Sequence, residues 1–82
     1  MVVHLFGHLQ GDVVVRVVFI DTDQTVVALA NQLQAWGPEL YPHPIRAATV
    51  RNEGGMVLEP AATLTQAGLH AGDIFSVEGA VL

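Results

Sequence analysis

The four histidines are the residues whose chemistry could most readily serve a metal or acid–base site. His4 and His8 share one face of a predicted strand, but the strand rise places them roughly 13 Å apart. That distance is too long for two ligands of one ion. His43 lies between two prolines, and His70 lies in a predicted turn. No carboxylate–histidine spacing recurs on the predicted elements, so we interpret the histidines as ordinary surface or interface residues.

Two acidic residues, Asp21 and Asp23, could also suggest a metal site or an acid–base pair. They precede a predicted helix, however, and negative charge there interacts favourably with the helix dipole. The sequence contains no GxSxG motif, no phosphate-binding loop and no dinucleotide fingerprint. We therefore predict no catalytic residue, no metal ligand and no cofactor site in this chain.

The composition favours a protein partner over a nucleic acid. The net charge is −5, from eight acidic residues against three arginines, and there is no lysine. Phosphate contacts need clustered positive charge, which excludes a nucleic-acid role. Hydrophobic residues make up 51% of the 82 residues and charged residues only 13%, whereas about 25% charged is usual. Because so short a chain has room for one small core, we expect a partner to cover one apolar face.

The sequence shows no sign of membrane insertion or export. The longest apolar run, residues 13–20, is interrupted by Arg16 and is far shorter than the roughly 20 residues that a membrane helix needs. No basic segment precedes an apolar run near Met1, as a signal peptide would require. The absence of cysteine excludes disulfides and fits a reducing compartment. We expect a cytoplasmic protein.

One predicted helix, residues 26–36, organises the remainder of the chain. Its apolar residues recur with helical spacing and form one stripe, comprising Val26, Leu29, Ala30, Leu33 and Trp36. Thr25 can cap its start, and Gly37 followed by Pro38 can end it. A single striped helix cannot bury its own stripe, so the flanking segments must supply a sheet.

The flanking segments read as strands. We predict strands at residues 1–9, 13–20, 45–51, 56–58 and 74–78, with one helical turn at 63–69. Gly11 suits a tight turn that makes the first two strands an antiparallel hairpin. A hairpin, a crossover helix and further strands follow the β-grasp, or ubiquitin-like, plan. The predicted fold is thus α+β, a single domain over residues 1–82 with a mixed four- to five-stranded sheet and one main helix.

Both predicted strands of the hairpin carry apolar side chains on both faces, although one helix covers only one face. The apolar side chains on the second face reflect either strand twist around a small core or a docking surface. Arg16 shares its side with Val14, Val18 and Ile20, and we take this row, with the loop at residues 38–44, as the outer surface. Large aromatics concentrate at interface hot spots, although Trp36 is also a candidate core residue. The candidate interface residues are Phe6, Val14, Arg16, Val18, Trp36, Tyr41 and His43.

Two segments carry a resemblance to a known family. The first segment, residues 11–33 (GDVVVRVVFIDTDQTVVALANQL), resembles the small gamma subunit of toluene monooxygenase-type hydroxylases. The second segment, residues 58–69 (LEPAATLTQAGL), is similar to the segment that precedes the final strand in that family. The loop GPELYPHPIR departs from the expected basic loop, and an arginine-rich third strand is reduced to Arg46 and Arg51. The resemblance implies a non-catalytic structural subunit of a bacterial diiron monooxygenase acting on aromatic hydrocarbons. Its partners would be the large alpha and beta subunits, with the diiron centre in the large helical one.

The C-terminal part of the sequence also resembles a second family. Small ubiquitin-like proteins of type VII secretion systems have an LxPxxTLxxAGLxxGDxF-like ending, which residues 58–75 resemble. That resemblance implies a docking module of a secretion system. An orphan β-grasp binding domain is a third interpretation, because this fold hosts many unrelated tasks.

Overall fold

The computed structural model describes residues 1–10, 14–35 and 45–81, the side chains of residues 45–48 and 79–81 excepted. The elements are β1 (Val2–Leu9), β2 (Val15–Asp21), α1 (Val26–Gln34), β3 (Ile45–Asn52), α2 (Leu64–Ala67) and β4 (Ile74–Val81). The strands form one sheet in the order β2-β1-β4-β3. β1 pairs antiparallel with β2 and parallel with β4, and β3 pairs antiparallel with β4. The predicted mixed sheet with one main helix is confirmed.

The core lies between α1 and one face of the sheet. The helical stripe is buried as predicted over Val26, Leu29, Ala30 and Leu33. It packs with alternate residues of the strands and with three leucines of the segment between β3 and β4: Val3, Leu5, Leu9, Val18, Ile20, Val50, Leu58, Leu64, Leu69, Phe75 and Val77. Among the described residues, this core contains no polar or charged side chain.

The start of α1 is held by its cap and by the segment before α2. The hydroxyl oxygen of Thr25 accepts a hydrogen bond from the Ala28 amide at 3.2 Å. The amides of Val26 and Val27 donate to the carbonyl oxygens of Ala62 and Pro60, at 2.9 and 3.1 Å. These bonds satisfy N–H groups that a helix start otherwise leaves without partners. They also fix the residues around position 60 against the helix.

The predicted helical turn at residues 63–69 is α2 with its caps. The hydroxyl oxygen of Thr63 accepts from the Gln66 amide, while the Gln66 side chain accepts from the Thr63 amide, which forms a capping box. Gly68 ends the turn with φ of 79°, a left-handed conformation that glycine adopts without strain. Leu64 and Leu69 are buried. The two leucines therefore anchor this turn in the core, as the sequence predicts.

Two boundaries differ from the prediction. The segment at residues 56–58 makes one bridge, between Arg51 and Val57, rather than a strand. Two hydrogen bonds accompany it, from the Asn52 amide to the Met56 carbonyl oxygen at 3.0 Å and from the Leu58 amide to the Val50 carbonyl oxygen at 2.8 Å. The pairing does not extend further, because the chain turns toward the core at Leu58. α1 ends at Gln34, with Ala35 as its cap. Trp36 and the predicted stop signal lie outside the described residues.

Gly7 is a position where the packing of α1 against the sheet leaves no room for a side chain. A Cβ atom there would lie 2.6 Å from Cζ of Phe75 and 3.0 Å from Cδ2 of Leu33. Both neighbouring side chains are fully buried and have little freedom to move aside. Gly7→Ala is therefore expected to lower the free energy of unfolding by about 1–3 kcal/mol, the usual cost of overpacking.

Urea unfolding measures this effect, and Gly54→Ala is the matched control. The nearest atom to a Cβ at Gly54 is Oδ1 of Asn52 at 3.4 Å, an ordinary contact at an exposed turn. A Gly7→Ala variant as stable as the Gly54→Ala variant would show that β1 and α1 are not packed as described.

Candidate docking surface

The face of the sheet that is turned away from α1 carries an apolar patch. Side chains alternate along each strand, so the residues between the buried ones point outward. We call this surface the outer sheet face, and define it by Val2, His4, Phe6, Val15, Val17, Phe19, Thr49, Arg51, Ile74, Ser76 and Glu78. Phe19 is 65% exposed and Val17 is 40% exposed. Such large exposed apolar side chains, grouped on adjacent strands, are the feature that the composition predicted.

The assignment of the Val14, Arg16 and Val18 row to this surface is wrong at Val18. Its side chain is fully buried, and Ile20 on the same side is also in the core. Arg16 is half-buried and Val14 is 48% exposed, because both lie where β2 begins. An arginine near a strand end can extend its long stem along apolar surface while its charged group reaches water. The presence of Arg16 in this row therefore misled the prediction of the outer side.

Phe6, another candidate interface residue, lies at the middle of the outer sheet face. It is half-buried and lies opposite Val17 on β2 and Ile74 on β4. The ring of His4 meets the ring of Phe6 edge-on, with centroids 5.7 Å apart at 88°. Phe6 thus links the apolar rows of three strands into one patch. The three remaining candidates, Trp36, Tyr41 and His43, lie outside the described residues.

The outer sheet face becomes polar toward β3. Nε of Arg51 forms an ion pair with Oε1 of Glu78 at 2.6 Å, and Nη1 of Arg51 donates to the Gly55 carbonyl oxygen at 3.1 Å. Thr49 and Ser76 flank this pair on adjacent strands. An apolar centre beside a solvated polar margin is the usual anatomy of a protein interface.

Asp21 marks another edge of the apolar patch. The backbone amide of Asp23 donates to its carboxylate at 3.0 Å, and the N-terminal ammonium group lies 3.1 Å from the same oxygen. These donors, the amide first, lower the pKa of the Asp21 carboxyl below its usual value. Asp21 is consequently ionised at neutral pH and tied to local backbone, which is a structural role.

Histidine and aspartate side chains also occur in the turn that precedes β4. The amide of His70 donates to Oδ2 of Asp73 at 2.8 Å within this turn, and the Gly72 amide of the same turn donates to the His4 carbonyl oxygen on β1. Across residues 1–10, 14–35 and 45–81, no group of three or more histidines, aspartates or glutamates could hold a metal ion. None of the helices described is long and apolar enough to cross a bilayer. The outer sheet face is therefore the surface on which a functional argument can be built.

Comparison with known families decides the assignment. The family model of toluene-4-monooxygenase system protein B (TmoB) matches residues 2–78. The chain belongs to the TmoB family. The match runs from the first residue of β1 into β4 and so includes the whole hairpin, α1 and α2. No curated protein sequence matches this TmoB family member.

Solved structures show the fold of this TmoB family member. A chain of the toluene 4-monooxygenase HD complex with the inhibitor 4-bromobenzoate superposes with a TM-score of 0.85 at 15% identity, over 98% of this chain and 100% of that one. A ubiquitin from Caldiarchaeum subterraneum gives 0.80 at 17% identity, over 100% and 98%. The EccD5 ubiquitin-like domain from Mycobacterium xenopi gives 0.72 at 15% identity, over 100% and 98%. The fold is ubiquitin-like β-grasp.

Proposed function

We propose that this chain is a non-catalytic structural subunit of a bacterial multicomponent diiron monooxygenase hydroxylase. In this proposal it docks by the outer sheet face on the large helical subunit that carries the two irons. Its membership of the TmoB family is the observation that carries the proposal. A chain of the toluene 4-monooxygenase HD complex has the same fold along its entire length, which is consistent with a subunit of this size in such an assembly.

The physical character of the outer sheet face supports docking. Contiguous exposed apolar patches above a few hundred Å² usually mark interaction sites on soluble proteins. Here Val15, Val17 and Phe19 stand side by side on β2, with Phe6 and Ile74 on the next two strands. Aromatic anchors within such a patch supply much of the binding energy of an interface. A helical partner could therefore bury Phe19 and Phe6 against its apolar stripe.

The chemistry of the enzyme would belong to the partner. The described residues offer no metal-ligand cluster, and the residues that form the described core cluster are all apolar. Activation of oxygen would take place at the irons of the large subunit. The contribution of this chain would be to cover and stabilise a surface of the hydroxylase.

A docking module of a type VII secretion system is the second candidate. The ending at residues 58–75 resembles that family, and the EccD5 domain shares the fold. The family match favours the monooxygenase role, because it identifies a family rather than only a fold.

Co-expression with diiron alpha and beta subunits, followed by size-exclusion chromatography, tests the proposal. We expect this chain to co-elute with both subunits in a stoichiometric complex. A chain that remains a well-behaved monomer and never joins them would contradict the proposal. Co-elution with components of a secretion system instead would favour the second candidate.

A further inference from the structure

β2 is an edge strand, because β1 pairs with one side of it and no described strand pairs with the other. The hydrogen bonds of β1 show which backbone groups of β2 point to the open side. The Phe6 amide donates to the Asp73 carbonyl oxygen at 2.9 Å, and the His4 carbonyl oxygen accepts from the Gly72 amide at 2.8 Å. The even-numbered residues of β1 therefore direct their backbone groups toward β4 and away from β2.

The register then assigns the outward groups of β2. The even-numbered residues of β1 lie opposite three residues of β2: His4 opposite Phe19, Phe6 opposite Val17 and His8 opposite Val15. In an antiparallel pair, residues that do not exchange hydrogen bonds with each other point their backbone groups away from the partner strand. The N–H and C=O groups of Val15, Val17 and Phe19 thus face the open side.

At the C-terminal end of β2, the outward carbonyl oxygens already accept hydrogen bonds. Nε2 of Gln32, on α1, donates to the Phe19 carbonyl oxygen at 2.9 Å. The Asp21 carbonyl oxygen accepts from the Gln24 amide at 3.0 Å. In the part of the chain that the structure describes, no hydrogen bond from another element reaches the outward groups of Val15 or Val17. Two adjacent outward residues can therefore pair with an incoming strand.

β2 also lacks several of the features that usually protect an edge, although Arg16 lies on its inner side. Soluble proteins place lysine, proline or a bulge on exposed edge strands to prevent pairing with other chains. β2 contains no lysine and no proline, and its register with β1 runs without a bulge from Asp21 to Val15. The side chains of Val15, Val17 and Phe19, which lie on the outer sheet face, are apolar. The strand is therefore suited to accept another extended segment.

A second copy of this chain is a poor occupant in the registers that pair β2 with β2 alone. Symmetric antiparallel registers centred on Val17 or Val18 need the Phe19 carbonyl oxygen, to which Gln32 donates. A third symmetric register pairs Val15 with Val17 of the second copy. It places Arg16 of one copy directly opposite Arg16 of the other. Like charges directly opposite each other destabilise paired strands. The edge consequently favours a different polypeptide.

We propose that the open edge of β2 receives an extended segment of the hydroxylase partner, which pairs with the backbone of Val15 and Val17 and continues the sheet. This inference rests on the proposed function, because it takes the hydroxylase as the source of the segment. The shape of the site requires an extended backbone, since only alternating N–H and C=O groups at strand spacing match those of Val15 and Val17. The added strand would lie beside Phe19 and extend the outer sheet face into the partner.

Hydrogen–deuterium exchange of the purified complex with the diiron alpha and beta subunits tests this inference directly. The amides of Val15 and Val17 are expected to exchange at least tenfold more slowly in the complex than in the isolated chain. Titration of the fluorescently labelled chain with the alpha and beta subunits measures the Kd of each variant. Val17→Pro removes one outward N–H but no hydrogen bond to β1, and proline is tolerated at such edge positions. It should raise Kd more than tenfold, whereas Val17→Ala, which removes more apolar side chain, should raise Kd less than threefold.

The possible outcomes are distinct. Wild-type chain that does not bind the subunits would overturn the proposed function and this inference together. Binding without slower exchange at Val15 and Val17 would overturn only the inference, and so would equal losses for Val17→Pro and Val17→Ala. Slower exchange in a dimer of the isolated chain would assign the edge to a second copy and overturn the hydroxylase segment. Melting curves of the variants establish that each one is folded.

Discussion

Phe19→Asp is expected to abolish co-elution with the hydroxylase while the domain remains folded. Phe19 is 65% exposed on the outer sheet face, so a carboxylate there stays hydrated in the free chain. In the complex the same carboxylate would be desolvated against an apolar partner surface. Loss of an aromatic anchor commonly costs about 2–4 kcal/mol, which corresponds to a roughly 30- to 1000-fold rise in Kd.

The control for Phe19→Asp is another substitution to aspartate, at an exposed apolar residue of α1. Val27 lies on α1 and is 45% exposed, so Val27→Asp also exposes a new carboxylate and removes an apolar side chain. We expect Val27→Asp to leave co-elution intact. Equal loss of binding for the two variants would indicate a general effect of charge, and full binding by Phe19→Asp would remove the outer sheet face from the interface.

Val18→Asp is expected to unfold the isolated domain. Val18 is completely buried, and among the described residues the core offers no polar or charged side chain to pair with a carboxylate. An uncompensated buried charge costs about 3–5 kcal/mol. The total stability of a domain of this length is about 4–12 kcal/mol. Circular dichroism and urea titration of the variant should therefore show a largely unfolded population or a sharply lowered midpoint.

Val17→Asp is the matched comparison for Val18→Asp, because the two residues are neighbours on β2. Val17 points outward and is 40% exposed. Aspartate at this position should cost about 1 kcal/mol or less, mainly through its low preference for strands. A folded Val18→Asp variant beside an unfolded Val17→Asp variant would reverse the assignment of the two faces of β2.

Much of the fold follows from local patterns in the sequence. The spacing of Val26, Leu29 and Leu33 specifies one buried helical stripe, whatever the surrounding structure. Thr63 and Gln66, three residues apart, form the capping box that the helical turn at residues 63–69 requires. These features are predictable because each depends on neighbouring residues along the chain.

The two faces of β2 could not be assigned from the sequence, because residues 14–20 are apolar on both sides and only Arg16 breaks the pattern. The buried side is decided by the register with β1, in which Leu5 lies opposite Val18. The open edge of β2 was also not predicted. It depends on the strand order, which brings the last strand next to the first and leaves the second outside.

Among the residues of the candidate docking surface, some could be singled out from the sequence and others could not. Phe6 was a candidate because it is a large aromatic, and the structure places it on the outer sheet face, opposite Val17. Its contribution to docking stays a prediction. Gln32 was not singled out, since a glutamine on a helix gives no signal that its amide reaches the Phe19 carbonyl oxygen across two elements. The hypothesis that Trp36, Tyr41 and His43 contribute to docking stays a prediction.

The parallel pairing of β1 with β4 determines when the domain can fold. Phe6 lies opposite Ile74, so the middle of the sheet forms only when the two ends of the sequence meet. A distant pairing raises the contact order and slows folding, because loop-closure entropy is lost before the pairing is gained. During synthesis the apolar hairpin therefore emerges long before the strand that completes its sheet. Early contact with the hydroxylase or with a chaperone would limit aggregation of this nascent segment.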